Sequence, residues 1–463
     1  MRSGLSSNVD STVVGMKRSI DRILTTHTGS LPRPDDLVEL LYADETGEIT
    51  DRAAFDRRVR EAVAESVQKQ IEVGLDVVND GEMGKVSYST YVSRRLTGYE
   101  SHVHVPRRPR ADAAAFPDYA EWSAKQQQGS YRIKRYACTG PVRYVGHEAL
   151  GRDIDNLKAA LEGLEVTEAF MTAASPGVIS VFQPNQYYAS NEEYLWALAD
   201  AMKEEYEAIY KAGFLLQLDC PDLSGMSTAQ QPGKKPADLA LRVEALSHAV
   251  AKIPPDRMRM HLCWGNYEGP HHLDAPLKEI IGEVLKARPV GISFEGANPR
   301  HEHEWNLFER VKLPDGKVII PGVLDSTTNY IEHPELVAQR IVRYAKLVGR
   351  ESVIAGTDCG FGTFAGTPIV HPSIAFAKLR AMAEGARLAS MSCGPSTLGG
   401  GLAPLPNLPR GLRGRSPRSK HDGGERANQT LVFSSLLGIW PSAELEDHLN
   451  GSNDPVAAIM GLC

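Results

Sequence analysis

A chain of 463 residues with 42% hydrophobic and 24% charged residues has the composition of a soluble globular protein, long enough for one large α/β domain with extensions. Its net charge of -7 argues against a nucleic-acid partner, and no run approaches the roughly 18 apolar residues needed to span a membrane. Six cysteines over that length make no disulfide framework, and the N-terminus lacks a hydrophobic signal core, so a reducing, cytoplasmic setting is expected.

Residues 1–20 are polar, lack a period and are expected to be disordered. Residues 22–30 read as a strand stopped by Gly29-Ser30 and two prolines. A long helix is predicted over 51–73, where Val59, Val63, Val67 and Ile71 recur every four residues. The strand predicted over 74–82 ends in Glu82. Residues 100–130 form an Arg- and Pro-containing insertion with aromatics, a surface excursion able to cover a site, and 136–142 reads as a third short strand.

A strand is next predicted over 178–182, then a helix over 191–212 with Asn191 as its cap, then a strand over 214–219. Four further strands follow at 258–263, 290–295, 317–324 and 352–358, with helices at 277–287, 334–348 and 372–389. Strands spaced by helices imply βαβ units and a parallel sheet, here a (β/α)8 TIM barrel over residues 21–390 with surface insertions. The nine candidate strands exceed the eight that a closed barrel uses, and 178–182 is the one expected to lie outside it. Residues 391–463 turn Gly-, Pro- and Arg-rich without a period and read as a disordered tail. Its apolar pieces, 431–439 and 456–463, are too short to build a core.

The chemistry concentrates at strand ends. His261 and Cys263 stand two apart at the end of one strand, so the imidazole and the thiol face one side. A lone His-x-Cys pair is weak evidence, since free cysteine is often simply buried. Two other apolar strands end in the same manner, Glu295 before Gly296 and Cys359 before Gly360. Strand C-termini are where α/β enzymes place their reacting groups, so His261, Cys263, Glu295 and Cys359 are read together as ligands of one catalytic Zn²⁺.

This pattern, from about residue 22 to residue 390, resembles the catalytic barrel of cobalamin-independent methionine synthase and its single-barrel relatives. The wider superfamily also holds uroporphyrinogen decarboxylase and epoxyalkane:coenzyme M transferase. The family's zinc ligands, a His-x-Cys pair, a Glu and a second Cys, fall on His261, Cys263, Glu295 and Cys359. The resemblance further implies an amino-acid clamp made of Gly29, Ser30, Glu82 and Asp219, and a shared element at 139–142. Ser30 and the backbone around Gly29 suit an α-carboxylate, and Glu82 and Asp219 suit an α-ammonium; ion pairing or capping is the alternative role for those two acids.

Two thiolates and a carboxylate leave such a zinc site with a net charge of about -1, which favours activating a thiol over activating water. The implied reaction is alkylation of a small thiol, foremost methyl transfer to homocysteine, with Glu82 and Asp219 in the catalytic site. The chain departs from the family at Thr327, where the family has a His assigned to proton delivery, and the family's second barrel has no room here. The alkyl donor is therefore open between methyltetrahydrofolate, methylcobalamin and an epoxide. Thiol addition to an epoxide and a non-catalytic zinc- or thiol-binding barrel are the alternatives. His271, His272, His301 and His303 are expected to be exposed loop residues, with a place in the donor pocket as the alternative, and the oligomeric state is not set by these features.

Overall fold

The computed structural model describes residues 15–101, 111–126, 134–225 and 235–393. Eight parallel strands ring a barrel: β1 (Leu24–Thr25), β2 (Val77–Val78), β3 (Glu168–Ala174), β4 (Leu215–Asp219), β5 (Met258–His261), β6 (Gly291–Phe294), β7 (Val318–Pro321) and β8 (Ile354–Ala355). Strands β2 to β7 pair in sequence, and β1 pairs with β8. Parallel bridges Ile319–Val353 and Gly322–Gly356 join β7 to β8. The Asp76 N–H donates to the Thr25 carbonyl at 3.2 Å and closes the ring between β1 and β2.

Helices cover the outside in the expected alternation. The helix predicted over 51–73 is Arg52–Glu72, capped by Asp51, and it buries Val59, Val63 and Val67 against the barrel. The helix Asn191–Lys211 takes Ser190 as its cap in place of Asn191, with the Ser190 side chain accepting the Glu193 N–H. Helices Leu277–Val284 and Pro334–Val348 separate the later strands, and Pro372–Ser392 closes the barrel.

Four expectations need correction. Residues 178–182 are helical, not extended: Ser175 caps the helix Pro176–Phe182 by accepting the Val178 N–H, and Pro176 occupies its first turn. The strand expected over 136–142 exists as Ala137–Cys138 but pairs antiparallel with Tyr99–Glu100, outside the barrel. The third barrel strand, β3, is not among the strands expected from the sequence. Residues 15–20, placed in a disordered extension, instead pack under the barrel: Met16 is buried and its N–H donates to the Asp256 carbonyl at 2.7 Å. Residues 1–14, and the tail expected over 391–463 beyond Cys393, lie outside the described residues.

The inward rows of the barrel run from an apolar floor to a polar mouth. The floor gathers Met16, Leu24, Val77, Phe170, Leu215, Val318, Ile320 and Ile354 in one cluster. Because side chains alternate, each strand's inward row climbs by twos. Leu215 leads to Gln217 and Asp219, and Arg259 leads to His261 and Cys263. Gly291 leaves the room that the row on β5 needs, since a Cβ there would meet the Cβ of Arg259 at 2.7 Å. The top of the barrel is therefore polar by register. Among the described residues no helix is long and apolar enough to cross a membrane.

Candidate active site

His261, Cys263 and Cys359, all buried, bring one nitrogen and two sulfurs within 4.8 Å of one another. The two sulfurs lie 3.5 Å apart as free thiols. Two sulfurs each about 2.3 Å from a tetrahedral ion would stand about 3.8 Å apart, so the spacing suits a shared metal. The imidazole is oriented for it: Nδ1 meets the Ser293 hydroxyl at 3.1 Å, while buried Nε2 has no hydrogen-bond partner. A ring with one nitrogen fixed by a hydroxyl and a bare second nitrogen beside two thiols is the arrangement of a metal-ligating histidine.

Burial favours the uncharged forms of His261, Cys263 and Glu295. Hydrogen bonding to Cys359 and burial push the Cys263 thiol well up, and burial drives His261 down to about 3. Burial and the Cys263 sulfur raise Glu295 well above the usual carboxylate range. A divalent ion would reverse the thiol and carboxyl preferences, since both ionise on binding it, and would take the imidazole in the neutral form that burial already favours.

Glu295 is placed differently from the other three. It stands beside Cys263, but its Oε1 accepts the Trp264 N–H at 2.7 Å and its Oε2 accepts from Asn298 Nδ2 at 2.8 Å. It therefore ties the loop after Cys263 to the loop after β6. Asp358 reinforces that second loop by accepting the N–H groups of Gly296, Ala297 and Asn298, each at 2.8 Å.

The proposed clamp residues collect at the same mouth. Gly29 has φ of 142°, and a Cβ there would meet Thr172 Cγ2 at 2.6 Å, so only glycine fits. A Cβ on Gly360, next to Cys359, would fall 2.0 Å from Ser30 Oγ, which puts that hydroxyl against the loop of a candidate ligand. Glu82 has a left-handed backbone, with φ of 57°, a conformation that costs a non-glycine residue about 1–2 kcal/mol. Its Oε1 accepts from the Thr172 hydroxyl at 2.8 Å, and its buried Oε2 has no partner. Asp219 pairs in register with His261 and accepts from Gln217 Nε2 at 2.8 Å. Burial, then the charge of Glu82, raise its carboxyl to about 8.

That raised value has a measurable consequence. An unfolded aspartate titrates near about 3.9, so between there and about 8 the folded chain binds the extra proton. The Asp219 contribution to stability is full below the lower value and is lost as pH rises through the higher one. Asp219→Asn cannot ionise, so in substrate-free protein its melting temperature should gain on the unsubstituted chain as pH is raised from 5 to 8. A difference independent of pH would mean that Asp219 titrates normally.

Several participants were missed or misjudged in the sequence. His301 is buried, not exposed: its ring lies 4.3 Å from that of Trp264, and it bonds Glu304 at 2.8 Å and Asp274 at 3.3 Å. Burial opposes its charge, but those two acids outweigh it and hold the ring at about 10. His271, with φ of 50°, bonds Asp274 at 2.7 Å, and that acid shifts its ring upward against its burial. His272 and His303 are exposed as expected. The described part of the 100–130 insertion docks here too. Asp112 accepts from the Tyr267 hydroxyl and from the His271 N–H, and the Tyr119 hydroxyl donates to the Glu268 carbonyl at 2.6 Å. Thr327 donates through both its N–H and its hydroxyl to Asp325, each at 2.8 Å.

No family model matches the chain. It is similar to the uncharacterised protein YxjH of Bacillus subtilis, 26% identical over 365 residues, which cover 76% of this chain and 91% of the relative. Methionine synthase of Thermococcus kodakarensis is 24% identical over 365 residues, 79% of this chain and 92% of that one. Among solved structures, a B12-independent methionine synthase from Shewanella sp. W3-18-1, in complex with selenomethionine, shares the fold with a TM-score of 0.62 at 20% identity, over 80% of this chain and 98% of that one. A putative vitamin-B12 independent methionine synthase from Listeria monocytogenes gives a TM-score of 0.54 at 20% identity, over the same shares of 80% and 98%.

Proposed function

We propose that this chain, a single-barrel relative of the cobalamin-independent methionine synthases, transfers a methyl group to the thiol of homocysteine, with Zn²⁺ held by His261, Cys263, Cys359 and Glu295. One observation carries the reading. Two buried acids, Glu82 with its bare Oε2 and Asp219 with its raised carboxyl, share a barrel mouth with a buried His/Cys/Cys cluster whose Nε2 is bare. An amino-acid thiol answers both halves, its ammonium between the acids and its sulfur at the cluster.

Zinc bound there would keep the substrate sulfur as a thiolate, which is the nucleophile. The chain's own residues supply the rest. Ser30 and the backbone about Gly29 hold the carboxylate, beside Gly360. Glu82 and Asp219 receive the ammonium as charge-assisted hydrogen bonds. In the transfer a sulfur–carbon bond forms as the donor–carbon bond breaks, the bonding pair leaving with the donor, and the thiol proton passes to bulk water as homocysteine binds, before attack. Thr327, already committed to Asp325, offers no imidazole for protonating a departing donor. The donor is accordingly the variable of the test.

Zinc-loaded protein should be incubated with L-homocysteine and, separately, methyltetrahydrofolate, methylcobalamin and a short epoxide. Methionine formation from one of the methyl donors is the expected result. Turnover confined to the epoxide, with thiols lacking an amino group accepted equally, would replace this reading by thiol addition. No turnover with any donor, in protein that still binds homocysteine, would leave a binding barrel.

A further inference from the structure

Between the apolar floor and the barrel mouth lies a fully buried cation, Arg259, one inward step below His261 on β5. Its guanidinium sits 3.6 Å from the centre of the Phe170 ring. Nη1 donates to the Thr26 hydroxyl at 2.8 Å and Nη2 to the His27 carbonyl at 2.6 Å, both on the segment that leads to Gly29 and Ser30. Nε donates to Gln217 Oε1 at 2.7 Å.

This last bond decides the chemistry above it. A guanidinium can only donate, so the amide oxygen of Gln217 must face Arg259. Its nitrogen must then face upward, where it donates to Asp219 Oδ1 at 2.8 Å and to the Thr28 carbonyl. Turned over, the same amide would present its oxygen to Asp219 and repel the carboxylate that a bound ammonium requires. An arginine buried here is costly unless its donors are used, and the site needs the orientation that those bonds enforce.

We propose that Arg259 is a positioning residue for the acceptor's ammonium group: it locks the Gln217 amide, and the locked amide holds Asp219 in place to receive the ammonium. The proposal rests on the reading of Glu82 and Asp219 as the ammonium site. It makes Arg259 a determinant of selectivity between amino-acid thiols and plain thiols, though it touches neither.

The test uses the full-length, zinc-loaded chain and calorimetric binding of L-homocysteine and of 4-mercaptobutanoate, the same molecule without the amino group. The unsubstituted protein, Arg259→Met, Asp219→Asn and the double variant are compared at equal zinc content. Arg259→Met should weaken homocysteine about tenfold or more, the scale of one charge-assisted hydrogen bond, and 4-mercaptobutanoate much less. The double variant should bind homocysteine no more weakly than Asp219→Asn alone, because the two act through one contact. Additive losses, or equal losses on both thiols, would overturn the proposal and leave Arg259 as core structure. If Arg259→Met does not fold, Gln217→Met removes the same donor from Asp219, and unchanged homocysteine affinity in that variant overturns the proposal. An unsubstituted protein that does not distinguish the two thiols overturns the ammonium site itself, a separate and recognisable failure.

Discussion

Replacing Cys263 or Cys359 by serine should abolish tight zinc binding and lower methyl transfer by a hundredfold or more. Loss of a mere outer partner of a metal ligand typically costs about 10–100-fold, and a thiolate ligand contributes more than its neighbours. The two sulfurs lie 3.5 Å apart, so neither variant can replace the missing thiolate from the rest of the cluster. X-ray absorption on the unsubstituted protein should give two sulfurs near about 2.3 Å and one nitrogen near about 2.0–2.1 Å. Glu295→Gln separates ligand from loop tie. As the oxygen ligand, Glu295 would add a metal bond to those it accepts from Trp264 and Asn298, and the variant should lose zinc affinity and one short oxygen shell. As a tie alone, it leaves the metal in place. A Cys263→Ser protein with full zinc content would rule out the metal centre at this cluster.

Much of the site could be read from the sequence because it lies on inward rows with a period of two. His261 and Cys263 share a face by that rule, and the glycines that follow Glu295 and Cys359 mark the strand ends. The barrel's alternation of strands and helices was equally legible, down to the Val59, Val63 and Val67 stripe. The third strand was not. Its sequence, Glu-Ala-Phe-Met-Thr-Ala-Ala, carries three alanines and no β-branched residue except Thr172, so propensity gives it no signal and pairing with β2 and β4 decides it. Overlooking β3 hid Thr172, which holds Glu82. The apolar run at 178–182 misled in the other direction, although the Ser175-Pro176 start of a helix was there to be read.

Partners of strand-end residues were the least legible part. Nothing local to His301 shows that it will be buried against Trp264, because the contact joins two loops 37 positions apart in sequence. Arg259 reads locally as an oddity in a Met-Arg-Met strand. Its role is visible only once the Gln217 amide and the ends of β1 and β4 surround it. Periodicity tells which face a residue occupies, whereas hydrogen-bond direction needs the neighbour across the barrel.

Asp219→Asn should weaken L-homocysteine about ten- to hundredfold while leaving 4-mercaptobutanoate nearly unchanged. The magnitude follows from one charge-assisted hydrogen bond, roughly 1.5–3 kcal/mol. The direction follows from the site, where burial and the charge of Glu82 disfavour an ionised Asp219 and an ammonium placed between the two acids relieves that cost. Asparagine keeps the shape and can still accept from Gln217, so the strand should hold, and zinc content should stay level because Asp219 is not among the clustered donors. Glu82→Gln should act alike, since each acid has one oxygen already satisfied, by Thr172 and by Gln217 respectively. The two thiols share every other contact with the barrel. Their ratio therefore cancels any general loosening of the fold, which a single affinity cannot do. Equal loss on both thiols with zinc retained would make Asp219 a structural acid, and the acceptor would have to be sought among thiols without an amino group.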